Sequence, residues 1–335
     1  MSPRQDELPA RLGGVRSEPR PIARDAVDVT PAESLSFAKR PLSGGAMVLA
    51  SAVSYATLPI LAKVAFRHGA DSVAILAFRF AFSAPVLIMY VALRRGVAAM
   101  RRLLPAVLLP SVLYFVQTLT FFESLARMGA GLSVIVLFSY PLLVTIGGAL
   151  FLGEALPRSS AAIIVAGTCG VGLSVGFSGQ ASAAGLAFGA VSALLFAAFF
   201  LLAKRLLSAQ GADGVTFTAV VQATGGVGFP VVALVTHATG PDSASGWVAI
   251  AAIAAIGTVL ATALLFSGLR HLDAGVASMI SAAEPPFAVL LAAIFLSESV
   301  AATQVLGMAV VVASIAALSY VVARKTGAAE IPSGL

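Results

Sequence analysis

The sequence predicts an all-α polytopic membrane protein with ten transmembrane helices arranged as two inverted five-helix repeats. Three observations predict this fold: the excess of apolar residues, ten long apolar segments, and landmarks of the first half that recur in the second. The 335 residues are 59% hydrophobic and 11% charged, with a mean hydropathy of +0.98, whereas soluble domains are roughly 25% charged. Because a soluble core cannot hide this much apolar surface, soluble enzymes, nucleic-acid-binding proteins and disulfide-rich secreted proteins are poor fits.

The chain begins with a segment of different composition, residues 1–43. Its first 42 residues contain seven of the 21 Lys and Arg, six of the 15 Asp and Glu, and six of the 17 prolines. Such a segment buries too little apolar surface to offset its chain entropy, so we predict a disordered cytoplasmic tail. After it we predict a first five-helix repeat at 44–178, a second at 183–323, and a cytoplasmic C-terminal tail at 324–335.

Ten apolar segments follow the tail, and each has about the 20 residues that a helix needs to cross a hydrocarbon core roughly 30 Å thick. They are too long for buried strands, and none shows the alternating pattern of a membrane β-barrel. We therefore predict that all ten are helices. The predicted ranges are 44–66, 72–93, 103–122, 130–152, 159–177, 183–203, 214–236, 246–268, 274–296 and 301–323.

The Lys and Arg residues predict the orientation of these helices. With the N-terminus in the cytoplasm and alternating helices, 17 of the 21 fall on the cytoplasmic side, against Arg67 and Arg127 outside. Cytoplasmic loops of membrane proteins carry this excess of positive charge. We expect a multi-pass protein of the cytoplasmic (inner) membrane with both termini in the cytoplasm. The two remaining basic residues, Lys63 and Arg79, fall inside predicted helices.

The second half of the sequence repeats the first. Landmarks recur 141 to 144 residues later: Lys63 at Lys204, Leu125 at Leu269, Ala130 at Ala274, Pro141 at Pro285 and Glu154 at Glu298. Because each half has an odd number of helices, the halves take opposite orientations in the membrane. Two such halves open a midplane site first to one side and then to the other. The repeat therefore favours a transporter over an intramembrane enzyme or a passive anchor.

The segments that carry the repeat also resemble a known family. In each half a proline inside an apolar helix precedes a short motif: Pro141 before Phe151-Leu152-Gly153-Glu154, and Pro285 before Phe295-Leu296-Ser297-Glu298. This pairing resembles the signatures of the drug/metabolite transporter (DMT) superfamily, most closely its EamA branch, and Arg79 resembles that family's helix 2 arginine. The resemblance covers 44–323 and implies a cytoplasmic-membrane permease for small metabolites, often an exporter. Ser297, where Gly is usual, and the additional Pro286 depart from the pattern.

Glu284 is the first candidate for the site. It lies about ten residues into the ninth segment, near the bilayer midplane, where a carboxylate is costly. Pro285 and Pro286 follow at once and leave backbone carbonyls without helical partners. A carboxylate there is a candidate proton or cation site, and the alternative is a neutral or paired carboxyl that joins helices. Tyr140, before Pro141, takes the matching place and either donates a hydrogen bond to the substrate or only packs.

Arg79 is the second candidate, because it lies too deep in its helix to be left without a partner. It either neutralises an acid such as Glu123 or Glu284, meets an anionic group of the substrate, or extends toward the membrane interface. Glu123 precedes Arg127 by four residues, and a local ion pair is the alternative to a coupling role.

Several further polar residues are candidates with two interpretations each. Lys63 either extends to the interface, as we expect for its equivalent Lys204, or contacts the substrate. Glu154 and Glu298 mark helix ends and are interpreted as structural. Three polar residues in apolar helices either line a cavity or only pack: Gln117, Gln222 and Tyr55.

The predicted function is a secondary transporter that moves small metabolites, such as amino-acid-like or amphipathic solutes, by alternating access. The sequence has no nucleotide-binding motif, so we expect an ion gradient to drive transport, with protons coupled through Glu284. We expect the solute and the lipid bilayer as partners, and no cofactor, metal or nucleic acid. Glycine pairs allow a homodimer without requiring one. The alternatives are a membrane-embedded enzyme for lipid-linked substrates, which needs clustered His, Asp, Ser or Cys, and a channel or sensor.

Overall fold

The computed structural model describes residues 41–128, 130–154, 158–176, 182–209, 213–297 and 299–329. Within these ranges the regular structure is helical and no strand is present. We number the helices α1 to α10 and treat two segments separated by a short interruption as one helix. The helices are α1 (Pro41–Ala56 and Leu58–Arg67), α2 (Ser72–Arg95), α3 (Val97–Met128), α4 (Ala130–Leu137 and Tyr140–Phe151), α5 (Arg158–Val175), α6 (Ala183–Ala209), α7 (Gly214–Val235), α8 (Ala244–Ala254, Ala255–Leu260 and Ala261–Leu269), α9 (Ala274–Ser281 and Glu284–Leu296) and α10 (Ala302–Ala329).

Eight helices in the described part of the chain are long and apolar enough to cross a membrane, namely α1 to α4 and α6 to α9. Shorter apolar helices lie within α5 and α10, at Ser160–Val175 and Ala302–Leu318. The protein is therefore an all-α, multi-pass membrane protein. Ten crossings remain the prediction from the sequence.

The predicted segments coincide with the helices except at a few ends. The largest difference is in α3, which begins at Val97 instead of 103 and ends at Met128 instead of 122. Arg101 and its neighbour end the apolar run but not the helix, because arginine has a high helix propensity. The predicted C-terminal tail is partly helical, since α10 continues to Ala329. Residues 1–40, most of the predicted N-terminal tail, lie outside the described residues.

Three helices are interrupted at a proline. The second segments of α1, α4 and α9 each begin one residue before a proline: Pro59, Pro141 and Pro285. Proline lacks the N–H of a helical hydrogen bond, and its ring collides with the carbonyl four residues earlier. A fourth irregularity, the π-helical turn Ala255–Leu260 in α8, has no proline. There the hydroxyl of Thr258 donates to the carbonyl five residues earlier.

The most extensive helix contacts join the two halves. α2 packs along α7, α5 along α10, α3 along α6 and α1 along α8. The repeat relates α2 to α7 and α5 to α10, so each of these two contacts joins a pair of equivalent helices. It also relates α3 to α8 and α1 to α6, so the α3–α6 contact is equivalent to the α8–α1 contact. Gly225 of α7 lies against the Phe80 ring of α2, and Gly147 of α4 lies against Leu201 of α6. These glycines therefore serve packing inside the chain and offer no surface to a second copy.

Equivalent aspartates secure the two ends of the α2–α7 pair. Asp71 caps α2 by accepting from a backbone N–H at 2.7 Å, and also accepts from the N–H of Thr239, beyond the end of α7, at 2.6 Å. Asp213 caps α7 at 2.9 Å and pairs with Arg95, at the end of α2, at 3.1 Å. We refer to these two ends of the helix bundle as the Asp71 face and the Asp213 face.

Candidate functional site

A cavity of about 600 Å³ lies at the interruptions of the helices. Its wall includes Pro59 from the break in α1, Tyr140 from the break in α4 and Glu284 from the break in α9. Thr262, beside the π-helical turn of α8, also lines it. Non-helical backbone is tolerated at membrane depth where it lines a cavity. The irregular parts of four helices, two from each half, thus converge on one space.

The cavity extends to the Asp71 face but not to the Asp213 face. Phe66, near the end of α1, and Ser72, at the start of α2, line it, and Phe66 is 46% exposed. In the other direction the cavity ends on Phe199 and Phe266, which pack with Phe217 behind them at ring-centroid distances of 4.8 to 6.2 Å. These three residues are at most 2% exposed. We call Phe199, Phe217 and Phe266 the aromatic plug.

Arg79 places a positive charge on the cavity wall, and Glu284 places an ionisable carboxyl there. Both are half-buried and interact electrostatically, but among the described residues neither has an ion-pair partner within 4.0 Å. The Arg79 guanidinium lies over the Phe80 ring, 4.8 Å from its centroid. Its Nε is buried and finds no acceptor in the described part of the chain, which costs about 1–3 kcal/mol. Arg79 thus brings a positive charge to the cavity wall, while its Nε–H is enclosed by the protein.

Gln222 has a buried acceptor atom without a hydrogen-bond partner in the described structure, as Arg79 has a buried donor atom without one. It is fully buried, its Nε2 donates to Thr262 Oγ1 at 3.5 Å, and its Oε1 has no donor among the residues described. Gln117 differs, because its Nε2 donates to Ser192 Oγ at 3.0 Å. Both glutamines line the cavity. The wall therefore holds one satisfied amide and one whose oxygen lacks a protein donor.

Tyr140 connects the break of α4 to the first segment of α9. Its hydroxyl donates to the carbonyl of Ser278 at 3.4 Å, a long and weak hydrogen bond. Its ring packs against Phe196 at a centroid distance of 4.6 Å, and the residue is 2% exposed. Packing therefore contributes more than hydrogen bonding to its position. Tyr55 also lines the cavity and is half-buried.

Two sequence candidates occupy more exposed positions. Lys63 lines the cavity near the Asp71 face with an exposed side chain. Glu123 is exposed and bonds to Arg127 one helical turn later, so the local pair is present, and Glu123 is not among the cavity-lining residues of the described part. The helix-breaking prolines Pro141, Pro285 and Pro286 are buried behind the wall.

Two charged residues at the Asp213 face join the ends of α8 and α9. The prediction that Lys204 extends to the interface is wrong: it is 6% exposed and donates from Nζ to the carbonyl of Leu269 at 3.1 Å, because the last carbonyls of a helix lack helical donors. Glu154 accepts from the N–H of Ala274 at 2.8 Å. Burial raises the pKa of the Glu154 carboxyl, and the Ala274 hydrogen bond opposes that shift. Glu298 lies outside the described residues.

Sequence reasoning missed part of the site. Pro59 carries the same signal as Pro141, a proline inside an apolar segment, and that signal was available. Thr218 and Ser281 also line the cavity but give no signal, because a hydroxyl in an apolar helix commonly bonds to its own backbone. The aromatic plug gives none either, since its phenylalanines come from three separate helices.

The two halves of the chain match the same known family. The EamA-like transporter family matches residues 42–176 and, a second time, residues 183–320. The chain belongs to the EamA-like transporter family. The resemblance to the EamA branch of the DMT superfamily is thereby confirmed, and the protein is a membrane transporter by family. The two matched regions fall on the two halves that the repeat relates.

Comparison with individual proteins adds the fold alone. No curated protein sequence matches the chain, whereas 29 chains of solved structures are similar to it. One of them, a crystal structure of a protein, superposes with a TM-score of 0.73 at 19% sequence identity, covering 85% of this chain and 99% of that one. At this identity the similarity shows a shared fold alone and says nothing of the solute.

Proposed function

We propose that this EamA-family chain is a secondary transporter that exports small amphipathic, amino-acid-like metabolites across the cytoplasmic membrane by alternating access. The observation that carries the proposal is the cavity at the four helix irregularities, with Arg79 and Glu284 in a largely apolar wall. A volume of about 600 Å³ is within the range of small-molecule sites. The cavity is thus large enough for a metabolite.

The polar groups of the wall favour a solute with both an acceptor and donors. The Arg79 guanidinium brings a positive charge to the wall, which suits a carboxylate or another anionic group. Glu284 suits an ammonium, hydroxyl or amide donor. The remaining wall is rich in aromatic side chains such as Phe196 and Phe199, which suit an apolar part of the solute.

The repeat supports alternating access. Equivalent helices α4 and α9 are both broken at a proline, and the contacts α3–α6 and α8–α1 are equivalent under the repeat. We propose ten crossings in two inverted five-helix repeats, at 44–178 and 183–323, with both termini in the cytoplasm. Two equivalent halves can exchange conformations and so open the midplane cavity to either side.

Protons are the proposed coupling ion and Glu284 the proposed proton carrier. Glu284 is the one acidic residue among the cavity-lining residues of the described part, and it directly precedes Pro285 and Pro286 at the break in α9. Binding of a proton at Glu284 changes the charge that a solute meets in the cavity. A pH gradient is then able to drive solute movement.

The experiment starts from an unbiased comparison of metabolites inside and outside cells with and without the gene, which identifies the solute. Flux of that solute is then measured in proteoliposomes with an imposed pH gradient. We expect Glu284→Gln to abolish the dependence of flux on the gradient, and Glu123→Gln, which alters an exposed carboxylate paired with Arg127, to leave it unchanged. A Glu284→Gln protein that couples like the parent contradicts the proton role but not transport.

A further inference from the structure

The Asp213 face is held closed by two contacts to the α8–α9 connection. Lys204 of α6 donates to the carbonyl of Leu269, the last residue of α8, at 3.1 Å. Glu154, after α4, accepts from the N–H of Ala274, the first residue of α9, at 2.8 and 3.0 Å. A cation at a helix C-terminus and an anion at an N-terminus are each favoured by the helix dipole. The two contacts therefore fix the connection at both of its ends.

These contacts adjoin the aromatic plug. Phe266 of the plug lies three residues before Leu269 on the same helix, and Phe199 lies five residues before Lys204 on α6. The Lys204 hydrogen bond thus joins the two helices that contribute the floor of the cavity. Movement of α6 away from α8 therefore has to break this hydrogen bond in order to separate Phe199 from Phe266 in the aromatic plug.

The repeat places equivalent residues at the Asp71 face in a different arrangement. Lys63 is equivalent to Lys204, and Leu125 is equivalent to Leu269. Lys204 is 6% exposed, whereas Lys63 is exposed. Lys63 and Leu125 both line the cavity where it extends to the Asp71 face. Equivalent parts of the chain thus close one face and border the opening at the other.

We propose that Lys204 and Lys63 are alternating latches of the two faces. In the present state the Lys204 bond to Leu269, supported by Glu154, closes the Asp213 face. In the opposite state Lys63 donates to the carbonyl of Leu125 and closes the Asp71 face, while Lys204 releases Leu269. This inference rests on the proposed alternating access, and it assigns to each lysine the stabilisation of one of the two states.

The test measures from which face a cavity residue is reached. Ser281 lines the cavity and is half-buried, so Ser281→Cys in a Cys169→Ser background supplies a single thiol at mid-depth. The protein is reconstituted in vesicles of known orientation, and a membrane-impermeant maleimide is applied to one face at a time. The readout is the ratio of the labelling rate from the Asp71 face to that from the Asp213 face.

The two lysine variants are expected to shift this ratio in opposite directions. Lys204→Met removes the bond that closes the Asp213 face and lowers the ratio about tenfold or more, the usual consequence of losing a charge-assisted hydrogen bond. Lys63→Met destabilises the opposite state and raises the ratio. Lys204→Arg retains a donor and stays near the parent, which separates loss of the latch from loss of folding. The double variant, with both latches removed, lies between the two single variants.

Two outcomes overturn the inference, and they are distinguishable from failure of transport. Equal ratios in the parent and both variants, or shifts in the same direction, show that the lysines are not latches. Labelling from the Asp71 face alone in every variant contradicts alternating access itself. Since labelling reports conformation and not flux, the result is independent of whether the solute has been identified.

Discussion

The breaks in α4 and α9 occupy equivalent places in the two halves but carry different chemistry. Each second segment begins one residue before a proline, so both halves open the backbone in the same way. At that residue α4 has Tyr140, which is buried, and α9 has Glu284, which lines the cavity together with Arg79. The repeat thus relates the backbone of the two breaks, while the ionisable groups of the cavity wall are asymmetric.

The largest effect is expected at the charge of Arg79, which has no ionic counterpart at the equivalent place. Arg79→Met removes the charge offered to the solute, and we expect a loss of about 10- to 100-fold in transport at low solute concentration. The control is Arg127→Met, because Arg127 is exposed, interacts with Glu123 and the Phe188 ring, and is not among the cavity-lining residues of the described part. Equal losses in the two variants would place solute recognition away from the cavity.

The glutamines test the difference between a satisfied and an unsatisfied amide. Gln222→Leu removes a buried oxygen that has no donor in the described structure and a weak 3.5 Å bond, so we expect equal or higher thermal stability. Gln117→Leu removes the donor to Ser192 at 3.0 Å, and we expect it to lower the free energy of unfolding by about 1–2 kcal/mol. Thermal unfolding in detergent measures the stability of both variants. Destabilisation of similar size by the two substitutions contradicts the interpretation of Gln222 as the unsatisfied amide.

Glu154 tests how firmly the first half holds the second at the Asp213 face. Glu154→Ala removes the acceptor for the Ala274 N–H, and we expect the free energy of unfolding to fall by about 1 kcal/mol, as for loss of a helix cap. Glu154→Gln keeps an acceptor oxygen, and it should stay close to the parent. If Glu154→Gln lowers the stability in thermal unfolding as much as Glu154→Ala does, the negative charge of Glu154 stabilises the protein and its hydrogen bond to Ala274 does not.

Tyr140 should give the smallest effect of the four. Its hydroxyl makes a long bond to Ser278 at 3.4 Å, whereas its ring is held by packing. We expect Tyr140→Phe to change transport by less than about twofold, because a bond of this length contributes little. A large loss in the flux assay would show that the two breaks are alike in chemistry as well as in backbone.

Much of this architecture is predictable from sequence, because the signals are strong and local. A run of about 20 apolar residues has few stable alternatives to a membrane helix. A proline such as Pro141 or Pro285 favours a break because it lacks a helical N–H, although Pro85 and Pro230 lie inside continuous helices. The candidate residues Tyr55, Gln117 and Gln222 could be found because a polar side chain in an apolar helix is costly unless it has a partner.

The rest depends on contacts between distant segments, which leave no local pattern. The burial of Lys204 follows from a carbonyl 65 residues away in sequence, and the position of Lys204 near a helix end predicted the opposite. The aromatic plug arises only when α6, α7 and α8 pack together. The π-helical turn in α8 contains no proline from which it could be predicted. Such features become visible only once the helix pairs are known.

One measurement tests the central claim, that this cavity carries a solute across the membrane through Arg79. Proteoliposomes containing the parent protein, the Arg79→Met protein or no protein are loaded with a cellular metabolite extract, and the released metabolites are identified under an imposed pH gradient. We predict that the parent releases a small set of amphipathic metabolites bearing an anionic group and a hydrogen-bond donor, and that Arg79→Met releases them far more slowly. Release no faster than from protein-free liposomes, or equally fast release by the two proteins, would contradict the account.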